Sequence, residues 1–226
     1  MVRLTDVVKH LLIINVLMYF GTVILLKEPG SFTFQALVNE QETDFMAWGR
    51  NILALYYPGS IFFRPYQLVT HMFMHANITH LFFNMFGLFM FGPPIESRLG
   101  SQRFLLYYML TGFGAMALHL FVQYLELFVF QSVHPMTINV PMVGASGAIF
   151  GLLLAYGMFF PNNRIMLLFP PIPMKAKYMV ILFAVFELFM GVSQFAGDSV
   201  AHFAHLGGAL FGFLLILYWR KSGKLL

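Results

Sequence analysis

The sequence predicts an all-α polytopic membrane protein with a large first loop at the membrane interface. Of its 226 residues, 59% are hydrophobic and only 10% are charged, whereas a soluble domain is about 25% charged. The hydrophobic residues, which include 28 Phe and 16 Met, fall into long runs separated by proline and glycine. Several of these runs have the length that a membrane-spanning helix requires.

Six hydrophobic runs are candidates for transmembrane helices, since about 20 mostly apolar residues cross a bilayer. The predicted spans cover residues 10–26, 76–94, 104–124, 145–160, 177–195 and 200–219. The fourth is short, and proline pairs such as Pro93-Pro94 mark the gaps between spans. We therefore expect one membrane domain over residues 1–226, without an internal repeat.

The basic residues predict the orientation of this domain, because cytoplasmic loops of membrane proteins are enriched in Lys and Arg. With the N-terminus in the cytoplasm, ten of the 13 basic residues fall on the cytoplasmic side, and only Lys27, Arg50 and Arg64 fall outside. Both termini are thus expected to be cytoplasmic. A bacterial inner membrane is the expected location, because the six spans carry no organelle-targeting extension.

The outer loop 27–75 is too long for a plain connection between two helices. It is rich in aromatic side chains, which prefer the membrane interface. They are Phe45, Trp48, Tyr56, Tyr57, Phe62, Phe63 and Tyr66. We expect this loop to be a structured element that lies partly in the interface.

A serine between two glycines stands at the start of the fourth predicted span. The sequence Gly144-Ala-Ser146-Gly147-Ala-Ile-Phe-Gly151 combines this serine with a small-xxx-small spacing. Small residues let the backbones of two membrane helices approach closely. The sixth predicted span carries a similar pair, Gly208 and Gly212. We therefore expect the fourth and sixth spans to pack through Gly147, Gly151, Gly208 and Gly212.

Polar side chains from three spans fall at a similar predicted depth, near the outer face. Ser146 begins the fourth span, His205 lies early in the sixth, and His80 and Asn84 share one face of the second. Because polar groups in lipid are costly and often functional, we expect one site in a polar cavity that opens outward. Six further candidates to line it are His71, His75, Asn77, Thr79, Gln131 and Ser132.

The chemistry that suits these side chains is acyl transfer. A serine hydroxyl becomes a nucleophile when a base takes its proton, and histidine is the usual base. We therefore predict Ser146 as the nucleophile and His205 as the general base. The Ser146 backbone N–H, the Asn84 amide and the His80 imidazole are candidate oxyanion donors, each typically worth ~3 kcal/mol. For His80, helix capping or an interhelical role is an equal alternative.

No acidic residue is obviously placed to orient His205, since Asp198 lies two helical turns nearer the rim. We therefore predict a Ser–His dyad without a carboxylate, with the imidazole held by packing against Phe150. Glu187 and His119 are ionisable groups within spans, and Glu187 is interpreted as a packing group or a proton relay. His202 could share a metal with His205, but zinc usually takes three or four ligands. We expect neither a metal nor another cofactor.

In their order along the chain, these residues resemble the rhomboid intramembrane serine proteases over nearly the whole length. The matching pieces are Phe63-Arg64, His71, His75, His80-Leu-Phe-Phe-Asn84, Gly92 through Glu96 to Gly100, Gly144-Ala-Ser146-Gly147, and Ala204-His205-Leu-Gly-Gly208 with Gly212. Two positions depart from the family pattern. Phe63 replaces the usual Trp, and Phe150 stands where a Tyr often packs under the histidine. Neither departure removes a catalytic atom.

The resemblance implies a six-transmembrane-helix rhomboid-like bundle whose first loop is embedded sideways in the outer leaflet. It implies that Ser146 and His205 are catalytic and that His80 and Asn84 help bind the oxyanion. The implied substrates are transmembrane segments of other membrane proteins. They would enter from the lipid bilayer past a mobile fifth span and the cap that joins the fifth and sixth spans.

Two other classes of function are compatible with polar groups inside membrane spans. A transporter would be expected to show matched repeats, which the two halves of this chain lack. A non-catalytic rhomboid-like protein that binds membrane clients would be expected to lack the serine or the histidine. The net charge of +4 does not indicate nucleic acid, because the basic residues lie at the ends of hydrophobic runs. The sequence contains no cysteine and indicates no oligomeric state.

Overall fold

The computed structural model of the chain describes residues 4–25, 52–166, 172–193 and 201–223. Regular structure in these residues is almost entirely helical. The six long helices are α1 (Asp6–Leu25), α2 (Ile78–Leu99), α3 (Ser101–Tyr124), α4 (Ser146–Phe159), α5 (Ala176–Ser193) and α6 (His202–Lys221). Among the described residues, five helices are long and apolar enough to cross a membrane, and α4 is a shorter apolar helix of 14 residues. The chain is thus an all-α integral membrane protein.

Each predicted span falls on one of these helices, but the boundaries differ. The largest difference is in α2, which continues through Pro93 and Pro94 to Leu99. The expectation that this proline pair marks a gap between spans is therefore wrong. Membrane helices tolerate proline where the surroundings satisfy the freed backbone groups. The helix ends instead before Gly100, whose φ of +77° is the left-handed conformation that glycine adopts without strain.

Short elements connect the long helices. They are a helical turn at Gln67–Thr70, a 3-10 turn at His71–Phe73, a π-helical turn at Leu125–Val129, a 3-10 turn at Pro135–Asn139, and the strands β1 (Arg164–Met166) and β2 (Pro173–Lys175). The two strands form an antiparallel pair in which Arg164 is opposite Lys175. Much of the predicted first loop, including Phe45 and Trp48, lies outside the described residues, as does the segment 194–200.

The chain divides into two compact units. The first comprises Met1–Val8, Gly87–His119 and Ser146–Leu226, and the second comprises Lys9–Phe86 and Leu120–Ala145. In the first unit, α4 packs against both α5 and α6, and α5 packs against α6. The α3 helix also contacts α4, because the Tyr107 hydroxyl donates a hydrogen bond of 2.8 Å to the carbonyl of Gly151. The α4 helix is therefore surrounded by three others.

The start of α1 is held by a buried carboxylate on α2, also within the first unit. Glu96 is only 3% exposed and accepts hydrogen bonds from the backbone N–H groups of Val7 and Val8, at 3.1 and 3.0 Å. The hydroxyls of Thr5 and Ser101 also donate to it. Helix N-termini carry unsatisfied N–H groups and a partial positive charge, so a carboxylate is stabilising there.

In the second unit, the described part of the first loop is organised by one buried side chain. Gln67 is 1% exposed, and its Nε2 donates to the carbonyls of Ile52 and Phe62 at 3.0 and 3.1 Å. Its Oε1 accepts from the backbone N–H of Arg64 at 3.0 Å. A single amide therefore fixes three separate points of the loop backbone.

Candidate active site

The central feature of the site is a contact between a hydroxyl on α4 and an imidazole on α6, both in the first unit. Ser146 is the first residue of α4, and His205 is the fourth residue of α6. The Oγ of Ser146 lies 2.8 Å from the Nε2 of His205, a normal hydrogen-bond distance. His205 is 9% exposed, and Ser146 is half-buried. This is the geometry that a serine nucleophile and its base require.

Glycine brings the two helices close enough for this contact. A Cβ atom added to Gly208 of α6 would lie 1.8 Å from the carbonyl oxygen of Gly147 of α4, so the two backbones touch directly. The side-chain positions of the other three glycines face α3 instead. Added Cβ atoms on Gly147, Gly151 and Gly212 would meet Ala115 at 2.3 Å, Thr111 at 2.6 Å and Tyr107 at 2.3 Å. The close approach of α4 and α6 therefore depends on Gly208, which has no side chain where it meets the backbone of Gly147.

The imidazole of His205 is stacked on an aromatic ring of α4. The ring centroids of Phe150 and His205 are 4.3 Å apart, and the ring planes differ by 5°. Phe150 is in turn in edge contact with Phe183 of α5, at a centroid distance of 6.4 Å. This stacking limits tilting of the imidazole. Both ring nitrogens lie at the edge of the ring, where they can still form hydrogen bonds.

A carboxylate lies beside His205, contrary to the expectation from sequence. The Oε2 of Glu187 on α5 is 2.9 Å from the Nδ1 of His205, and it is 2.6 Å from the Nδ1 of His202. The Nδ1 of His202 makes a hydrogen bond with this oxygen, whereas the Nδ1 of His205 is close to it but not aligned for a hydrogen bond. The sequence-based interpretation was wrong because it sought a carboxylate near His205 along the chain, and this one belongs to another helix.

These same three side chains are the described residues that could hold a metal ion. Their ligand atoms all lie within 4.8 Å of one another. Ligands bound to zinc at about 2.0–2.2 Å in a tetrahedron would lie about 3.3 Å apart. The shorter spacings of Glu187 to both imidazoles are those of hydrogen bonds, so the arrangement suits shared protons better than a metal.

The two remaining candidate residues, His80 and Asn84, lie on α2 in the second unit. Asn77 caps this helix, because its Oδ1 accepts from the backbone N–H of His80 at 2.8 Å. The Nδ1 of His80 accepts from the backbone N–H of Ala76 at 3.3 Å, which assigns the imidazole proton to Nε2. Asn84 is 4% exposed and donates from Nδ2 to the carbonyl of His80 at 2.9 Å. His80 thus takes part in the helix start and also carries an N–H at Nε2.

The segment that leads to Ser146 is tied down within the second unit. Met142 forms an antiparallel bridge with Leu55, with backbone hydrogen bonds of 2.9 and 2.8 Å. The N–H of Gly144 donates to the carbonyl of His71 at 2.9 Å. Gly144 has a φ of +133°, a conformation that side chains rarely adopt. The sequence placed this glycine just before the fourth predicted span, but it did not indicate these partners.

Two histidines expected to line an open polar cavity are buried instead. His71 and His75 are 2% and 1% exposed. Loss of solvation lowers the pKa of His71 to about 4, although its Nδ1 donates to the carbonyl of Gln67 at 2.8 Å. Burial, together with the nearby His80, lowers the pKa of His75 to about 3. The other four candidates, Asn77, Thr79, Gln131 and Ser132, are exposed.

The buried histidines predict that the protein loses stability in mild acid. Their pKa values are lower in the folded protein than the ordinary value of 6.5, so the unfolded chain binds more protons below that pH. Their contribution is complete above about pH 6.5 and falls by about 1.4 kcal/mol per pH unit for each histidine as the pH drops. We expect His71→Gln to have a shallower pH dependence, measured by unfolding in mixed micelles from about pH 6.5 to about pH 4.5. Equal slopes for the two proteins would contradict the assignment.

Comparison with known proteins connects this geometry to one family. A family model described as the rhomboid domain matches residues 63–222. The chain is 28% identical over 216 residues to "Rhomboid protease AarA" of Providencia stuartii. The aligned region covers 91% of this chain and 69% of that protein. It is 33% identical over 152 residues to "Putative rhomboid protease YdcA" of Bacillus subtilis, covering 66% and 65% of the two chains.

A plant relative shows the same similarity. The chain is 33% identical over 161 residues to "RHOMBOID-like protein 6, mitochondrial" of Arabidopsis thaliana, which covers 70% of this chain and 46% of that protein. The chain thus spans between about half and about two thirds of the length of these relatives. The family model covers most of the chain and includes both Ser146 and His205. The protein therefore belongs to the rhomboid family of serine proteases.

Proposed function

We propose that this protein is an intramembrane endopeptidase that hydrolyses peptide bonds in or near the transmembrane segments of other membrane proteins. The observation that carries the proposal is the 2.8 Å contact between the Ser146 Oγ and the His205 Nε2. Family membership adds support, since two of the relatives above are named proteases. Ser146 is the nucleophile, and His205 is the general base.

The reaction uses the two atoms of this contact in turn. The Ser146 Oγ attacks the scissile carbonyl carbon while its proton passes to the His205 Nε2. The C–N bond then breaks, and the same Nε2–H protonates the leaving amine. Water completes the cycle by attacking the acyl-enzyme ester, again with His205 as the base, which releases the new carboxyl terminus and restores the Ser146 hydroxyl. No metal or cofactor is required for these steps.

We propose that the oxyanion is bound by a backbone N–H of α4 and by two side chains of α2. The backbone N–H of Ser146 is in the first turn of α4, where N–H groups lack intrahelical partners. The Nδ2 of Asn84 and the Nε2–H of His80 are the proposed side-chain donors. The burial of Asn84 and the tautomer of His80 support these roles. Each donor is expected to stabilise the transition state by about 3 kcal/mol.

The substrate must present an extended carbonyl to Ser146. A transmembrane helix satisfies its own backbone groups in lipid, so the segment to be cut has to unwind. We propose that the active site opens to the outer face and that both termini are cytoplasmic, in a bacterial inner membrane. The distribution of basic residues supports this orientation. Helix α5, with exposed hydrophobic residues such as Val185, Phe189 and Val192, is the proposed side of entry from lipid.

A fluorescent fluorophosphonate tests the nucleophile directly, because it reacts with an activated serine hydroxyl. We expect the purified protein to be labelled, and we expect Ser146→Ala and His205→Ala to lose the label. Ser222→Ala is the matched control, since Ser222 lies in the turn that follows α6 and its hydroxyl donates to the carbonyl of Trp219. This control is expected to label as the wild type does. Labelling that persists in Ser146→Ala would defeat the assignment.

A further inference from the structure

The carboxylate of Glu187 is the feature of the site that the proposed mechanism does not yet use. Glu187 is 6% exposed and lies in the apolar helix α5. A charged group inside a membrane helix is costly unless it is paired. Its Oε2 is within 2.9 Å of the Nδ1 of His205 and within 2.6 Å of the Nδ1 of His202. Both partners belong to the first turn of α6.

The positions of the hydrogen-bonding atoms indicate where the protons lie. A carboxylate oxygen only accepts, so each imidazole carries its proton on the nitrogen that faces Glu187. A neutral His205 with its proton on Nδ1 has a lone pair on Nε2. This lone pair faces the Ser146 hydroxyl at 2.8 Å. Glu187 therefore favours the one neutral tautomer of His205 that can take the serine proton.

We propose that Glu187 is a positioning residue that holds His205 in the reactive tautomer, and that His202 fixes the carboxylate in place. The site would then work as a Ser146–His205–Glu187 triad, which replaces the dyad predicted from sequence. This inference rests on the proposed protease function. When the Ser146 proton moves to Nε2, the resulting imidazolium lies beside a carboxylate, so the charge that develops on His205 is balanced within 2.9 Å. The proton on Nδ1 stays where it is.

The imperfect alignment of the His205 N–H with Glu187 is compatible with this role. Catalytic hydrogen bonds are often long or poorly aligned without substrate and tighten in the substrate complex. The ring of His205 is already restrained by its stacking on Phe150 at 4.3 Å. A small rotation within the plane of this stack would bring the Nδ1–H onto the carboxylate.

The competing explanation is structural, because the Glu187–His202 bond alone would tie α5 to α6. The two explanations differ for Glu187→Gln, which keeps the size and an acceptor oxygen but loses the charge and can donate to Nδ1. A positioning role predicts a lower kcat with an unchanged KM. Replacing the acid of a serine protease triad lowers kcat by up to about 10⁴-fold, and we expect a loss of at least about 10²-fold here.

Glu96→Gln is the matched control, since it changes a second buried glutamate, whose partners are the N–H groups at the start of α1 and the hydroxyls of Thr5 and Ser101. It is expected to lower thermal stability without changing the kcat of the folded protein. Cleavage of a transmembrane substrate in liposomes is measured for wild type, Glu187→Gln, Glu96→Gln and Ser146→Ala. If Ser146→Ala cleaves, the proposed function fails. If Ser146→Ala is inactive but Glu187→Gln keeps the wild-type kcat, only the role of Glu187 fails.

A spectroscopic measurement covers the case in which Glu187→Gln does not fold. In ¹⁵N-histidine-labelled Ser146→Ala protein, the Nδ1–H protons of His202 and His205 should appear as two downfield, slowly exchanging resonances. His202→Asn should remove one of them and leave the other, from His205, directed at the carboxylate. If the remaining His205 ring carries its proton on Nε2 instead, the proposal is overturned.

Discussion

Replacing Ser146 with alanine is expected to lower the rate of substrate cleavage by about 10⁶-fold, the loss typical when a serine protease loses its nucleophile. The Oγ is the only atom removed, and its partner in the structure is the Nε2 of His205 at 2.8 Å. His205→Ala should cost nearly as much. The two residues act as a unit, so the double variant should be no slower than either single variant.

The measurement is cleavage of a transmembrane substrate in liposomes, with initial rates taken over several days for the slow variants. Thermal unfolding of each variant should stay close to wild type for Ser146→Ala, because a half-buried hydroxyl contributes only about 1 kcal/mol. His205→Ala leaves Glu187 with one imidazole partner and should unfold earlier. Additive losses in the double variant would show that Ser146 and His205 do not share one proton transfer.

The pairing of Ser146 with a histidine could be predicted because the signals lie in single short motifs. A serine beside a glycine begins one span, and a histidine lies near the start of another. Counting the rise per residue along each helix therefore puts the two side chains at a similar depth in the membrane. The hydrogen bond between the two side chains could not be derived from the spacing of residues in the sequence and is seen only in the structure. The stacking of Phe150 on His205 was also predicted, since Phe150 shares a face of the fourth span with Ser146.

Glu187 could not be assigned in the same way, although it was visible as a charge inside a span. Its partners are on α6. Helix boundaries predicted from sequence are too imprecise to give the depth of a residue in the membrane to within one helical turn. The physical signal that was available is the cost of a carboxylate in lipid, which requires a partner. The two histidines at positions 202 and 205 are spaced i and i+3, on one helix face, and so were the available partners.

The glycine motifs were only partly interpretable for a related reason. A small-xxx-small pair shows that some backbone or bulky side chain comes close, but it does not say which one. Gly147 and Gly208 contact each other, whereas Gly151 and Gly212 accommodate Thr111 and Tyr107 of α3. Similarly, Pro93 and Pro94 carry a strong local signal for a break, yet α2 continues to Leu99. Tertiary surroundings decide both outcomes.

Because Gly208 lies directly against the backbone of Gly147, adding a methyl group at Gly208 is expected to disturb the structure more than adding one at any other described glycine. Gly208→Ala would place its Cβ 1.8 Å from a backbone oxygen, and an ordinary contact needs at least 3.4 Å. Neither partner is a flexible side chain, so α4 and α6 must separate by more than about 1 Å. Overpacking of this kind costs about 3 kcal/mol or more, and a displacement of about 1 Å at a reacting pair lowers the rate by about 10²-fold.

Gly21→Ala is the matched control for this substitution, because it adds the same methyl group within helix α1, where no atom of the described part of the chain lies within 4 Å. Alanine is the better helix former, so this control should be as stable as the wild type or more stable by up to about 1 kcal/mol. Thermal unfolding and cleavage are measured for both variants. Since Ser146 is next to Gly147 and His205 is three residues before Gly208, a Gly208→Ala protein that folds should bind fluorophosphonate slowly. A Gly208→Ala protein with wild-type stability and labelling would mean that the backbones of α4 and α6 are not in direct contact. The approach of Ser146 to His205 would then not depend on Gly208.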